Sequence, residues 1–200
     1  MKSIELVFDL LDEWREFPSY QLERRADIYF ALLLPDIMKD FSEDCKNIKH
    51  RDIIPEFPLK NENSDDYRPL RVDYVVFGSM FVYLIELKTS TKSKRPTQDD
   101  NMKKAEAKGL AKVIEETKVI SQKSRSGKYK YFDKRLAELT DNDPMMSRTI
   151  KIVYIQPKKP EKSENIISFD DIIQTINKRK NNGDLEIRFR ESLAKWIPPE

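Results

Sequence analysis

Two neighbouring segments of the chain are strongly β-forming and are separated by only two residues. Residues 70–77 (LRVDYVVF) and 80–88 (MFVYLIELK) are rich in β-branched and aromatic side chains, and Gly78 and Ser79 lie between them. Such a pair of residues between two such runs is typical of a tight β-hairpin. Because both runs are apolar on both faces, we expect the two strands to lie inside a covered sheet.

The remaining segments show helical or strand-like patterns. Apolar spacing predicts helices, with Ser19 as the N-cap of the second, at 4–14, 20–38, 97–120, 131–139 and 169–178. Short β-rich runs predict strands at 53–59, 149–155 and 185–189, the first near a sheet edge because it contains prolines. A basic loop is expected at 121–130. The order helix, three strands, helix, strand predicts an α/β fold with a central mixed sheet flanked by helices.

Composition excludes several classes of protein. The length of 200 residues predicts one domain over 1–200. A lone cysteine, Cys45, and a lone histidine, His50, exclude an internal disulfide, a Cys-rich zinc site and His-pair metal motifs. With no long apolar run and an acidic N-terminal segment, we expect a cytoplasmic protein that does not enter a membrane. The second hundred residues hold 22 basic and 15 acidic residues, which permits a basic face for an anionic partner, although a surface of mixed charge explains the count equally well.

Three charged residues, Asp73, Glu86 and Lys88, interrupt the apolar strands. Burying a charge is costly unless the charge is paired or binds a metal ion. A two-residue turn at 78–79 sets Asp73 opposite Leu84. Glu86 then follows on the same face, and so does Lys88 at the strand period of two. The pattern therefore predicts that two carboxylates and an ammonium group converge at one edge of the sheet.

This group of side chains suits divalent-metal chemistry. Mg²⁺ commonly takes one or two carboxylates together with waters and substrate phosphate, and a bound cation lowers the pKa of its water. A nearby ammonium group can orient the nucleophile or neutralise developing charge. A structural alternative stays open, because Arg71 lies opposite Glu86 in the same register and the charges would then only lock the hairpin.

Asp73, followed thirteen residues later by Glu86-Leu87-Lys88 at the end of an apolar strand, resembles the motif of the PD-(D/E)XK nuclease superfamily. The order of elements also resembles the restriction-endonuclease-like core of that superfamily, αβββαβ, over about 19–157, which makes 158–200 a C-terminal extension. The resemblance implies that Asp73 and Glu86 are catalytic metal ligands, that the carbonyl of Leu87 is a further ligand, and that Lys88 is catalytic.

The resemblance also implies a further catalytic acid. Many members use a glutamate from the helix before the sheet, which Glu23 matches; Glu56 on the preceding strand is the alternative. Glu23 is equally explained as an exposed acid favoured by the helix dipole. Val72 stands where many members have proline. Gln98 is followed at the fourth place by Met102, so the Gln-x-x-x-Tyr motif of the RecB-like branch is not formed.

Basic residues around the motif are candidate contacts to nucleic acid. Lysine and arginine bind phosphates without reading sequence, and aromatic rings stack on exposed bases. The candidates are Lys92, Lys94 and Arg95 after the motif strand, Lys104 and Lys108 on the next helix, and Lys128 and Lys130 beside Tyr129, Tyr131 and Phe132. The alternative for each group is a solvated segment.

The sequence therefore predicts a Mg²⁺- or Mn²⁺-dependent nuclease that hydrolyses phosphodiester bonds in DNA rather than RNA. Cleavage of both strands of a duplex would favour a homodimer or a partner subunit. Two alternatives stay open: a catalytically silent nucleic-acid- or protein-binding module on the same fold, and a structural protein whose charge cluster stabilises the hairpin.

Overall fold

The computed structural model describes residues 3–17, 20–62, 69–90, 96–124, 127–140, 148–160 and 163–198. Within these ranges the chain forms seven α-helices: Ser3–Trp14 (α1), Leu22–Phe41 (α2), Pro96–Lys108 (α3), Leu110–Lys123 (α4), Lys128–Thr140 (α5), Phe169–Lys178 (α6) and Asp184–Trp196 (α7). The same ranges contain five strands: Ile53–Leu59 (β1), Leu70–Phe77 (β2), Phe81–Leu87 (β3), Thr149–Gln156 (β4) and Ile166–Ser168 (β5).

The five strands form one mixed sheet in the order β1-β2-β3-β4-β5. Strand β2 pairs antiparallel with β1 and with β3, whereas β4 and β5 pair in parallel. The predicted α/β class with a mixed, helix-flanked sheet is confirmed. Strand β1 lies at an edge, as its prolines predict, and β2 and β3 lie in the interior. That the sheet belongs to the restriction-endonuclease-like fold remains a prediction.

The chain divides into two compact units, each built from separate stretches of sequence. Unit 1 comprises 1–47, 87–93 and 154–200, and unit 2 comprises 48–86 and 94–153. The expected organisation, a single domain with a C-terminal extension, stays a prediction.

The core of unit 1 contains a cluster of aromatic rings. The ring centroid of Phe189 lies 5.0 Å from that of Phe30 and 6.0 Å from that of Phe8. Trp196 extends the cluster, with its ring 6.0 Å from Phe189. Its indole Nε1 donates a hydrogen bond to Asp12, at 2.9 Å. Edge-to-face aromatic pairs add to the free energy gained by burial, so helices α1, α2 and α7 are held together by this cluster.

The core of unit 2 forms around the hairpin strands. Strand β3 contributes residues 81–86 to unit 2. All of their side chains are buried except that of Phe81. Helix α4 contributes the buried side chains of Val113 and Ile114. The hydroxyl of Thr117 on the same helix donates to the main-chain carbonyl of Pro58 in β1, at 3.2 Å. This bond satisfies an edge-strand carbonyl that lacks a neighbouring strand on that side.

The predicted strand at 185–189 is wrong, because this segment lies in helix α7. Its apolar residues alternate over only five positions, and at that length periodicity does not separate a strand from a helix. The buried side chains of α7 instead follow helical spacing: Phe189, Ser192, Leu193 and Trp196.

The single helix predicted at 97–120 is in fact two helices. Helix α3 ends at Lys108 and α4 begins at Leu110, with Gly109 between them at φ +81° and ψ 164°. This region of backbone conformation is essentially confined to glycine. The apolar spacing continues through the break, so periodicity alone does not reveal it.

Other boundaries differ by a few residues. Helix α5 begins at Lys128, which shortens the basic loop predicted at 121–130, and α2 begins at Leu22. The predicted N-cap, Ser19, lies outside the described residues. The helices predicted at 4–14 and 169–178 and the strands predicted at 53–59, 70–77 and 149–155 are confirmed to within one residue.

Candidate active site

The hairpin turn lies one residue further along the chain than predicted. Strand β2 pairs Phe77 with Val82, and the main-chain N–H of Gly78 donates to the carbonyl of Phe81 at 2.9 Å. The turn residues are therefore Ser79 and Met80, and the predicted pairing of Phe77 with Met80 is wrong. The observed register sets the buried part of β3 against the buried part of β2, which is what fixes register in a covered sheet. Met80, at the turn, is 60% exposed.

The corrected register brings Asp73 and Glu86, which both belong to unit 2, closer together than predicted. Tyr74 with Ile85 is the last residue pair of the β2–β3 ladder. Continued by one position, the same register places Asp73 across from Glu86, and the predicted pairing of Asp73 with Leu84 is wrong because Leu84 pairs with Val75. Residues directly opposite in an antiparallel pair have Cβ atoms about 4.5–5.5 Å apart. Two carboxylates that lie across from one another on neighbouring strands are suited to sharing one cation or one proton.

The same shift moves Arg71 away from Glu86. The predicted direct pairing of these two residues is wrong, because the observed pairing of Tyr74 with Ile85 shifts the register by one residue on each strand. The guanidinium of Arg71 instead contacts the carboxylate of Glu56, with Nη1 and Oε2 3.6 Å apart. Both of these side chains are largely exposed.

Glu86 is 1% exposed, and it accepts a hydrogen bond from a residue of α3. Gln98 Nε2 donates to Oε2 of Glu86 at 2.5 Å and to the main-chain carbonyl of Arg71 at 2.8 Å. Gln98 is itself buried, in the first turn of α3. A buried carboxylate requires hydrogen bonds to replace its lost hydration. Gln98 supplies one of them and links β2 and β3 to α3, whereas Asp73 is only half-buried.

Glu56 lies beside Asp73 on the edge strand. Strand β1 pairs Pro55 with Tyr74 and Phe57 with Val72, so Glu56 falls opposite Asp73. Its φ of +51° is the one positive φ of a non-glycine residue in the described part of the chain. Such conformations cost roughly 1–3 kcal/mol and are found preferentially at functional sites. The choice between Glu56 and Glu23 as a further acid stays open.

Lys88 belongs to unit 1 and is held by strand β4 at both its main chain and its side chain. Its N–H donates to the carbonyl of Ile155 at 2.8 Å. Its ammonium Nζ lies over the ring of Tyr154, 4.8 Å from the centroid, and the residue is only 8% exposed. Burial of a lysine ammonium requires compensation, and the face of an aromatic ring supplies part of it.

Glu23 also belongs to unit 1 and lies in the first turn of α2. Its Oε1 accepts a hydrogen bond from the main-chain N–H of Thr89, at 3.3 Å. Thr89 directly follows Lys88 in the chain, so Glu23 lies near Lys88, the last residue of the motif. That Glu23 is catalytic, and that the carbonyl of Leu87 is a metal ligand, stay predictions.

Among the described residues, no three His, Cys, Asp or Glu side chains form a group that could hold a metal ion. Magnesium commonly uses only one or two carboxylates, with water and substrate oxygens completing its shell. The pair Asp73 and Glu86 offers hard oxygen donors of this kind. The donor set therefore fits Mg²⁺ or Mn²⁺ rather than a thiolate- or imidazole-seeking ion.

The candidate nucleic-acid contacts differ in how their charges are used. Lys104 pairs with Asp100 one turn earlier, at 2.8 Å. Lys108 contacts Glu62 at 2.5 Å and Glu116 at 2.8 Å. Burial would lower the pKa of Lys108, but its bonds to these two carboxylates raise the pKa above its ordinary value. The ammonium of Lys108 is thus committed to a structural network.

Lys128 and Lys130 lie in the first turn of α5, and both are exposed. Tyr131 beside them is exposed as well. Phe132 instead packs on Phe57, with ring centroids 5.7 Å apart, so it serves the fold. The loop candidates Lys92, Lys94 and Arg95 lie outside the described residues.

Comparison with protein-family models, with curated proteins and with solved structures gave no match. None of the helices in the described ranges is long and apolar enough to cross a bilayer.

Proposed function

We propose that this chain is a Mg²⁺- or Mn²⁺-dependent nuclease of the PD-(D/E)XK type that hydrolyses phosphodiester bonds in DNA in preference to RNA. The observation that carries the proposal is the register of the hairpin on two interior strands, whose last pair, Tyr74 with Ile85, is followed on the two strands by Asp73 and Glu86. A protein that needed only a stable hairpin would gain more from apolar residues at both positions.

Each residue of the motif has a distinct role in this proposal. Asp73 and Glu86 would hold the cation, together with the carbonyl of Leu87. A bound cation supplies an activated water and offsets negative charge on the phosphorus centre. Lys88, two residues after Glu86, orients the attacking oxygen and neutralises charge that develops in the transition state. Glu23, or alternatively Glu56, would complete the set of acids.

The substrate in this proposal is a polyanion. Lys128 and Lys130 are exposed at the N-terminal end of α5, where the helix dipole disfavours cations. A phosphate backbone would offset that unfavourable position. The exposed ring of Tyr131 offers a surface on which an unpaired base could stack. Cutting of both strands of a duplex would favour a second copy of the chain or a partner subunit.

A non-catalytic binding module is the second candidate function. It is favoured by one observation: the buried charges of Glu86 and Lys88 already have partners in Gln98 and Tyr154. In a binding module these contacts serve the fold alone. This candidate predicts that nucleic acid is bound in EDTA with unchanged affinity, that Lys88→Met has no effect on binding, and that wild type shows no cleavage.

The deciding experiment is a cleavage assay on duplex DNA, single-stranded DNA and RNA, with Mg²⁺, Mn²⁺ or EDTA. The test variants are Asp73→Asn, Glu86→Gln and Lys88→Met, which keep the side-chain shapes nearly unchanged. We expect wild-type cleavage with either metal, none in EDTA, and a loss of at least about 100-fold in each variant.

The control variants are Lys112→Met and Glu115→Gln, an exposed ion pair on α4 with a separation of 2.9 Å. They are purified in parallel, so a contaminating nuclease would give equal activity in all five preparations. Thermal melting verifies that each variant is folded. Unchanged cleavage in folded Asp73→Asn and Glu86→Gln would reject the proposed function.

A further inference from the structure

The contact between Lys88 and Tyr154 restricts the position of the Lys88 ammonium, which is the positively charged group of the proposed motif. The ammonium Nζ lies 4.8 Å from the ring centroid, within the range of a cation–π interaction. Lys88 is nearly fully buried, so solvent weakens this attraction little. A lysine side chain has four rotatable bonds, and this contact restricts the positions that its ammonium samples.

Tyr154 can restrict the position of the Lys88 ammonium because the main chain of Tyr154 is itself held by hydrogen bonding within the sheet. Strand β4 lies between β3 and β5 in the sheet order. Tyr154 pairs with Ile166 in β5, and its main-chain N–H donates to the carbonyl of Asn165 at 3.0 Å. The next residue, Ile155, accepts the main-chain N–H of Lys88. Two consecutive residues of β4, Tyr154 and Ile155, therefore contact the side-chain ammonium and the main-chain N–H of Lys88.

We propose that Tyr154 is a positioning residue that holds the ammonium of Lys88 over its ring for phosphodiester hydrolysis. This inference rests on the proposed function. The aromatic ring is the required feature, and the phenol hydroxyl is dispensable. Displacement of a reacting group by about 1 Å can cost as much as 100-fold in rate, so loss of the ring lowers kcat while KM changes little.

The first test measures the contact itself, without any catalysis. In protein labelled with ¹³C-lysine, the Cε resonance of Lys88 is assigned by its absence in Lys88→Arg. We expect a ring-current shift of this resonance in wild type and in Tyr154→Phe, and its loss in Tyr154→Leu. Lys151, whose ammonium lies 3.5 Å from the ring centroid of Phe81, provides an internal control that stays shifted in every variant.

The second test measures turnover in the same variants. We expect kcat of Tyr154→Leu to fall roughly 10- to 100-fold with KM within about twofold, and Tyr154→Phe to restore kcat. If Tyr154→Leu does not fold, phenylalanine analogues with one to five ring fluorines at position 154 keep the shape and weaken the cation–π attraction. A stepwise fall of kcat with fluorination supports the proposal.

The outcomes separate this inference from the proposed function. An unchanged Lys88 resonance in Tyr154→Leu overturns the contact. A lost resonance shift with wild-type kcat, or kcat independent of fluorination, overturns the positioning role and leaves the nuclease proposal standing. A wild type that cleaves no nucleic acid, or cleavage that is insensitive to Lys88→Met, overturns both.

Discussion

The side-chain amide of Gln98 donates to the carboxylate of Glu86 at a distance of 2.5 Å. The same nitrogen also donates to the main-chain carbonyl of Arg71, at 2.8 Å. One residue at the start of α3 therefore fixes a buried acid of β3 and anchors it to β2. Substitution of an outer residue that orients a metal-binding group typically costs about 10- to 100-fold in metal affinity or activity.

Substitution of Gln98 by alanine should affect both stability and activity. The buried carboxylate of Glu86 loses a donor, so we expect the free energy of unfolding to fall by about 1.5–3 kcal/mol. Cleavage should fall roughly 10- to 100-fold because the carboxylate is no longer oriented. Urea denaturation and the cleavage assay measure the two effects. Gln174→Ala, at an exposed position of α6, is the control, and equal behaviour of the two variants would argue against the role of Gln98.

The basic residues should differ in their contribution to nucleic-acid binding. Each phosphate contact adds about 0.9 to the slope of log affinity against log salt for duplex DNA. Lys128→Ala and Lys130→Ala should each reduce the slope by roughly that amount. Lys108→Met should leave the slope unchanged, because its ammonium is bound by Glu62 and Glu116. Fluorescence anisotropy in EDTA over a salt series measures the slopes, and an equal reduction in Lys108→Met would contradict the assignment.

The acid side of the stability profile should depend on Glu62. The hydrogen bond from Lys108 holds the pKa of Glu62 below its ordinary value of 4.5, against the opposing effect of burial. A carboxyl whose pKa is lower in the folded state contributes stability above its unfolded pKa and loses it as pH falls through the folded pKa.

Glu62→Gln should therefore be less stable than wild type at pH 7, and the difference should shrink as pH falls below about 4.5. Denaturation midpoints measured between pH 7 and pH 2 test this expectation. Glu115→Gln, which removes an exposed pair, should show a smaller effect. A stability difference for Glu62→Gln that stays constant over this pH range would contradict the account.

The backbone at Gly109 predicts an unusually costly alanine substitution. Its φ of +81° is unfavourable for a residue with a Cβ atom, although no neighbouring atom would contact that Cβ. We expect Gly109→Ala to lower the free energy of unfolding by about 1–3 kcal/mol. Gly127, which also has open space around it but no positive φ, is the matched control. Equal stability of the two alanine variants would show that the backbone at Gly109 is not strained.

Residue type and period were sufficient to predict most strands and the acids that they carry. Asp73 and Glu86 stand out in sequence because they are charged within apolar β-rich runs. Their side chains share a face in either hairpin register, since a shift of both strands by one residue keeps the parity. The turn itself was mispredicted, because the turn preference of Gly78 and Ser79 is weaker than the match between two buried strands.

Features that depend on distant parts of the chain could not be predicted. In the sequence Gln98 stands only at the start of an incomplete Gln-x-x-x-Tyr motif, and only the packing of α3 brings it to Glu86. Lys108 appears as a free cation, and only the fold surrounds it with Glu62 and Glu116. The break at Gly109 was visible as a glycine within a helical pattern, but its positive φ was not.

The proposed function requires that Asp73 and Glu86 together bind a divalent cation, and isothermal titration calorimetry with Mn²⁺ measures this binding without any substrate. We predict that wild type binds Mn²⁺ and that Asp73→Asn and Glu86→Gln each weaken binding by at least about tenfold. Glu115→Gln should bind as wild type does. Equal Mn²⁺ binding by wild type and both site variants, with all proteins folded, would contradict the account.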